Sequence, residues 1–434
     1  MIFKGEAALL KERIDFLCKK RELTRKELVE GLVTQAHFAN ILAERYPLVD
    51  DLAEQIAERL RVPVSYILHA AAKDENSLDR ANYIFNELAK SVSTETEQYV
   101  DALVDKDDSL VVELTTALMK AVYYQQINDG DAHRYLHHSY LNFYLEKIGR
   151  PDEADVPAPL KKALLFYKIQ YFRSQNHYYD ALSHINRLIG LVETGTEAWL
   201  TVQNMQMEAC IYLKQFEQAK ATFDQTMKTV YEERLFHRLP ALYVSYSGYC
   251  FAMGLYQEAL LALSMAEANL VYAVSPGDIM TTIMNNRIVM LTMTGELNKA
   301  TEEITRFEEL AQQEPDDIRQ KLMLITLIYR CEVAYTLKNW AMLADHLAGF
   351  TNADITADQQ MAILFYRSQL ALSQEDKSEF MELALACVPY FESIQHVPRL
   401  EQLYECLAVV SESGRRYKES TVYYQKLVYV LRNR

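Results

Sequence analysis

The chain has 434 residues, half of them hydrophobic, with only 12 glycines and 10 prolines. That is enough apolar material for two or three domains, and so few turn formers point to a helical class. The formal net charge of −15 argues, as a sum, against a nucleic-acid binder. Its distribution changes the reading: residues 1–70 hold 11 basic and 11 acidic side chains, so the whole excess lies beyond them. Lys11 to Lys26 carries seven basic residues against three acidic ones, a local basic patch. The six cysteines are far apart and form no CxxC pair, which speaks against a zinc knuckle or disulfide framework and suits a reducing, cytoplasmic setting. The first turns hold acidic residues and no long apolar run, so they do not read as a signal peptide, and without a run of roughly 20 apolar residues no membrane span is expected.

Residues 6–20 read as an amphipathic helix with Leu9, Leu10, Ile14, Phe16 and Leu17 on its apolar positions. Thr24, with Glu27 three residues on, is a capping box for a short second helix carrying Leu28 and Leu32. Gly31 permits a tight turn. Thr34 caps a third helix, whose Phe38, Ile41 and Leu42 recur at buried spacing and leave Gln35, Ala36, His37 and Asn40 outward. Two short helices joined by a tight turn describe a helix-turn-helix, and the small and amide side chains at the start of the second suit base edges. After Pro47, Leu52, Ile56, Ala57 and Leu60 make a fourth helix, and Val62-Pro63 opens a fifth through Tyr66 and Leu68. The candidate DNA-facing set is Lys19, Lys20, Arg25, Lys26, Thr34, Gln35, Ala36, His37, Asn40 and Arg45, with the lysines on phosphates and Gln35 on a base.

From 71 to 106 the pattern predicts a connecting helix with a thin stripe of Tyr83, Ile84, Leu88 and Val92. The remainder, 107–434, is a repeat. An aromatic residue or leucine followed three residues later by a small one recurs at Tyr178/Ala181, Phe216/Ala219, Tyr256/Ala259 and Leu297/Ala300, with echoes at Trp340/Leu343 and Tyr417/Ser420. The pattern is nearly lost near Asp376 to Glu379. The four alanines are 38, 40 and 41 residues apart. A helix of about 18 residues is predicted before each turn, with Ala209, Gly248 or Ala334 where helices must approach closely, and Gly254 and Gly295 as helix ends. Six or seven hairpins follow residue 157, and a poorer one is expected over 107–148.

This pattern resembles a degenerate tetratricopeptide repeat, which makes the fold class all-α: a five-helix head over 1–70, a linker helix over 71–106 and an α-solenoid over 107–434. The order of parts, with Glu27-Leu28, Glu30-Gly31, Thr34-Gln35 and Val62-Pro63-Val64-Ser65-Tyr66, resembles the Rap/Rgg/NprR/PlcR family of peptide-sensing regulators of Gram-positive bacteria and their phages. Arg25 and the segment Asn40 to Glu44 depart from the family's run, so its docking mode is expected without its usual base preferences. The resemblance implies a quorum-sensing-type transcription regulator, a homodimer on a palindromic operator, whose DNA binding is controlled by a short oligopeptide held in the concave wall of the repeats. By periodicity and analogy the peptide-facing set is Asn204, Gln206, Tyr243, Ser245, Asn285, Asn286 and Arg330, since an amide can both donate to and accept from a peptide main chain. The alternative is a repeat scaffold that sequesters a response regulator or phosphorelay protein.

No Gly-rich phosphate loop, Ser-His-Asp order or catalytic carboxylate pair stands out, so no enzymatic activity and no cofactor are expected. His133 and His137 have HxxxH spacing, next to His138, but lack an acid at ligand spacing, which argues against a metal site. The acidic pair Asp316-Asp317 after Pro315 reads as a helix start.

Overall fold

The computed structural model describes residues 10–43, 45–68, 75–90, 110–127, 129–148, 156–273, 276–350, 355–394 and 396–432, and every regular element among them is helical. The expected start of the first helix, with Leu9, lies outside the described residues, as do Glu44 and Val92. The chain divides into two compact units, Met1–Asp278 and Ile279–Arg434.

The first unit begins with five short helices: α1 (Leu10–Lys20), α2 (Arg25–Val29), α3 (Gln35–Leu42), α4 (Asp50–Leu60) and α5 (Val64–Leu68). They close on one core of Leu10, Ile14, Leu17, Leu28, Val29, Phe38, Ile41, Leu42, Ile56, Leu60 and Tyr66, the spacing that the sequence predicts. Both expected caps form. Thr24 Oγ1 accepts from the Glu27 N–H at 3.2 Å while the Thr24 N–H donates to Glu27 Oε2 at 2.7 Å, and Thr34 Oγ1 accepts from the His37 N–H at 3.2 Å. Gly31 has φ +74°, a left-handed turn that a side chain would strain.

Helix α6 (Glu75–Leu88) buries Ala81, Ile84, Phe85 and Leu88, a wider stripe than the expected thin one, and leaves Tyr83 55% exposed. Phe85 meets Phe166 edge-on at 6.0 Å. The helix is thus packed into the same core as α7 (Leu110–Gln126), which is buried on nearly every side. The poorer hairpin pairs α7 with α8 (Gly130–Leu136), a π turn at His137–Leu141 and α9 (Asn142–Ile148).

Regular hairpins follow. In the first unit they are α10 (Ala158–Ser174) with α11 (Tyr178–Ile189), α12 (Glu197–Tyr212) with α13 (Phe216–Glu232), and α14 (Leu239–Ala252) with α15 (Tyr256–Ala268). The second unit begins within α16 (Pro276–Met293), whose partner is α17 (Leu297–Ala311). It continues with α18 (Asp316–Thr336) and α19 (Trp340–Ala348), α20 (Ala357–Ser373) and α21 (Lys377–Ser393), and α22 (Val397–Ser413) and α23 (Tyr417–Arg432). Every one of these second helices except α21 starts on the aromatic or leucine of the repeat, and Ala181, Ala219, Ala259, Ala300 and Leu343 are all fully buried. Where the pattern is lost, Asp376 caps α21 instead, accepting from the Ser378 and Glu379 N–H groups at 3.1 and 2.9 Å, and Phe380 takes the buried place of the alanine.

The turns share one backbone device. The residue two before each of these second helices is left-handed: Asn176, Lys214, Gly254, Gly295, Lys338, Glu375 and Arg415, with φ between 54° and 79°. The next N–H returns to the carbonyl five residues back, as in His177 to Phe172 at 2.9 Å and Leu255 to Cys250 at 2.8 Å, which satisfies carbonyls that the helix end would leave unpaired. One expectation fails. Gly248 is not at a close approach, because a Cβ added there meets nothing within 4 Å; Ala209 and Ala334 are buried as expected.

Candidate functional site

The surface of α3 follows from its cap. With Thr34 holding the His37 N–H and with Phe38, Ile41 and Leu42 turned into the core, Gln35, Ala36 and His37 stand exposed and Asn40 half-buried. The His37 ring stacks on Tyr46 at 5.4 Å. Asn40 Oδ1 accepts from Arg45 Nη1 at 3.3 Å, and the Asn40 carbonyl accepts from the Arg45 N–H at 2.9 Å. The candidates from Thr34 to Arg45 therefore form one surface, with an amide donor, an imidazole and a guanidinium, the chemistry needed to meet base edges and phosphates.

The basic stretch of α1 and α2 is less uniform. Lys26 is exposed, as are Lys19 and Lys20, whose ammonium groups lie 5.2 Å from the centre of the Phe143 ring and 5.8 Å from that of Phe16. Arg25 is held in a two-toothed pair by Asp15, at 2.6 and 2.5 Å, and the Arg21 Nε donates to the Leu60 carbonyl at 3.2 Å. Arg13 does not belong to a basic surface at all: it is 1% exposed. The Glu27 carboxyl is held below its usual range by the Thr24 N–H and hydroxyl.

On the repeats, position within the hairpin decides where a side chain goes. Gln206, Tyr246, Arg287 and Arg330 each lie ten residues before the start of the second helix of their own hairpin, and each turns to a second helix. Gln206 donates to Asn186 at 3.0 Å and accepts from Thr222 at 3.3 Å. Tyr246 stacks on Phe223 at 4.1 Å, Arg287 pairs with Glu303 at 2.7 Å, and Arg330 is bidentate on Glu308 at 2.7 and 2.6 Å. The carboxylate raises Arg330 above the usual arginine value, against burial. Gln206 and Arg330, both in the expected peptide-facing set, are thus engaged within the hairpin stack.

Of the other candidates, Asn204 is half-buried on α12, and Tyr243 lies 6.5 Å from the Phe223 ring. Ser245 Oγ donates to the Ala241 carbonyl at 3.2 Å. Asn285 donates to Asn286 at 3.3 Å. Asn204 and Asn285 share a place, twelve residues before Phe216 and Leu297.

The residues that the periodicity did not single out form the most developed polar clusters. In the first unit Arg173 of α10 pairs with Glu208 of α12 and with Gln170. Glu197 of α12 holds His237 at 2.5 Å and pairs with Arg238; burial would raise its carboxyl, and the Arg238 charge with the hydrogen bonds from Arg238 and His237 outweighs that and lowers it. In the second unit Arg399 of α22 reaches Glu332 of α18 and Tyr366 of α20, with its guanidinium 4.0 Å from the centre of the Phe365 ring. The Tyr366 hydroxyl also donates to Glu332. Burial drives the Tyr366 phenol up and keeps it neutral. Glu208 and Glu332 each lie eight residues before their second helix, so this register turns to neighbouring first helices.

His133 and His137 stack face to face at 6.1 Å, and His137 Nδ1 lies 2.9 Å from the Tyr167 hydroxyl. Among the described residues no group of three histidine, cysteine or acidic side chains is placed to hold a metal ion. The described cysteines carry no disulfide, and no described helix is long and apolar enough to cross a membrane. Asp316 begins α18 as expected.

No known family pattern and no curated protein sequence matches the chain. Solved structures do match in fold. A Rap protein complexed with competence and sporulation factor aligns with a TM-score of 0.54 at 13% identity, over 83% of this chain and 99% of that one. The apo form of the quorum sensor NprR from B. thuringiensis gives 0.55 at 14%, over 82% and 98%. Aspartyl phosphate phosphatase F from Bacillus subtilis gives 0.52 at 14%, over 83% and 95%. At these identities the likeness is one of fold, and the chain is an all-helical protein whose repeats stack as they do in the Rap and NprR structures.

Proposed function

We propose that the chain is a transcription regulator whose DNA binding is controlled by a short signalling oligopeptide. In this reading 1–70 is the helix-turn-helix head, 71–106 links it to the repeats, and 107–434 receives the peptide. The observation that carries the reading is α3, a capped helix that buries Phe38, Ile41 and Leu42 and offers Gln35, Ala36, His37 and Asn40 to solvent. The fold of the repeats supports the second half, since similar structures include a complex with competence and sporulation factor and a quorum sensor. Lys19, Lys20, Lys26 and Arg45 would neutralise phosphates, with Thr34 fixing the helix start. The peptide would lie along first helices, and each unit by itself offers an asparagine for its main chain and a polar cluster for its charged groups: Asn204 and Arg173 in the first, Asn285 and Arg399 in the second. A homodimer would read a palindrome, and a peptide that prefers one pitch of the repeats would bias the spacing of the two heads.

A salt titration of binding to DNA upstream of the protein's own coding sequence tests the head. Affinity that falls steeply with salt is expected; absence of binding at any salt would overturn the reading. A second reading, a scaffold that sequesters a response regulator, is favoured by two observations: the entire acidic excess lies beyond residue 70, and the fold is shared with a protein named as an aspartyl phosphate phosphatase. Recovery of such a partner without DNA binding would select it.

A further inference from the structure

Arg13 sits where the head meets the repeats, and its environment is unusual for a charge. The side chain is 1% exposed, and neither its Nε nor either Nη has a hydrogen-bond acceptor. Its guanidinium lies 4.5 Å from the centre of the Tyr66 ring on α5. The Tyr66 hydroxyl donates to Glu113 Oε2 at 2.6 Å, and Glu113, 7% exposed, belongs to α7. One cation from the head and one carboxylate from the repeats are therefore desolvated together. Beside them Phe16 meets Tyr140 at 5.0 Å and Phe143 at 5.6 Å, both edge-on. The buried Tyr140 hydroxyl faces Glu113 and the buried Tyr144 hydroxyl faces Tyr66, neither in good hydrogen-bonding geometry. Tyr140 comes from the π turn His137–Leu141, a helix form that is rare and concentrated at functional positions.

A guanidinium carries five N–H donors, and buried donors are normally satisfied. Here the compensation is a ring face and a carboxylate to which Arg13 itself makes no hydrogen bond. Burial pulls Arg13 below the usual arginine value, and the Glu113 carboxylate pulls it back. Closing this junction gains aromatic contact and gives up hydration of an arginine, a carboxylate and two phenols; opening it reverses both. Two opposed contributions on one surface are what an element with two arrangements requires.

We propose that the contact of α1 and α5 with α7 and the π turn is a metastable polar latch. It opens as a unit and hydrates Arg13, Glu113, Tyr140 and Tyr144, while the head core and the repeat core stay folded. The latch requires neither DNA nor peptide, so it stands or falls apart from the function proposed above.

Hydroxyl-radical footprinting of the full chain, read by mass spectrometry, tests it. Tyr366 and Tyr404, 1% and 2% exposed in the second unit, are the controls. In the wild-type protein Tyr140 and Tyr144 are expected to oxidise several-fold faster than the controls. Replacing one charge, by Arg13→Met or Glu113→Gln, unbalances the buried charges and raises junction oxidation further; replacing both, in Arg13→Met with Glu113→Met, removes both buried charges and lowers it below wild type. Junction tyrosines that oxidise no faster than the controls would overturn the latch. A folded double variant no slower than wild type would do the same, and the wild-type comparison decides even where a variant does not fold.

Discussion

Arg399 and Glu332 lie 67 residues apart in sequence and form an ion pair between α22 and α18, with the Tyr366 hydroxyl bonded to both. The arginine side chain is 13% exposed and the glutamate 30%. Three first helices are therefore tied by one polar knot, lying on the aromatic rings of α20. Removing one member of a buried pair leaves the other charge uncompensated. Arg399→Met is expected to lower unfolding stability by about 2–3 kcal/mol, reduced from the fully buried case because Glu332 is partly hydrated. Adding Glu332→Gln should recover part of that loss, because the stranded carboxylate goes with it. Urea unfolding of the four proteins of the cycle measures both; additive losses would show that the pair does not couple.

The hairpin turns offer a backbone test free of packing. Gly254 has φ +74°, and a Cβ there meets nothing within 4 Å. Gly254→Ala should therefore cost about 1 kcal/mol from left-handed strain, with a smaller loss for Gly254→Asn. Thermal unfolding would show it, and an unchanged Tm for the alanine variant would mean the turn relaxes to another conformation. Lys214, Lys338 and Arg415 hold the same conformation without glycine, so the stack tolerates the strain where the rest of the turn is maintained.

These turns also mark what could be read from the sequence and what could not. The start of nearly every second helix is visible, because an aromatic and a buried small residue are demanded by helix contact at fixed spacing. The hairpin at Lys377 is hidden, since Asp376 does by capping what an aromatic and alanine do elsewhere. The head was legible to its caps for the same local reason: Thr24 and Thr34 act within three residues. The polar knots were not. Arg399 finds Glu332 through the stacking of separate hairpins, and no periodicity within one helix reports that. Arg13 misled for a related reason, because a charged letter in an amphipathic helix reads as surface until the partner face at Tyr66 and Glu113 is known.

Acidity should loosen the first unit through its histidine pair. Burial holds His133 and His137 below the usual histidine range. The unfolded chain takes up protons near pH 6.5 while the folded chain resists. The unfolded state therefore binds more protons, and stability is lost as pH falls from about 7 through the lowered folded values. His137→Asn, which also gives up the contact with Tyr167, should flatten that slope whatever it does to stability at pH 8. Tm measured from pH 8 to pH 5 for both proteins checks the sign, and parallel curves would assign the pH response to other groups.

Fold and recognition can be separated on α3. Thr34 holds the His37 N–H at 3.2 Å, so Thr34→Ala removes an N-cap and should cost about 1 kcal/mol, with Thr34→Ser close to wild type. Gln35 is exposed and supports nothing in the core, so Gln35→Ala should leave Tm unchanged. If Gln35 meets a base, that variant weakens binding to the cognate site while leaving the salt slope as it was, because no phosphate contact is lost. Lys26→Ala should do the reverse, reducing the slope by about one and weakening all sequences alike. Fluorescence anisotropy at three or more salt concentrations distinguishes them. Identical slopes and affinities for all three proteins would remove α2 and α3 from the DNA interface, whatever the caps contribute to the fold.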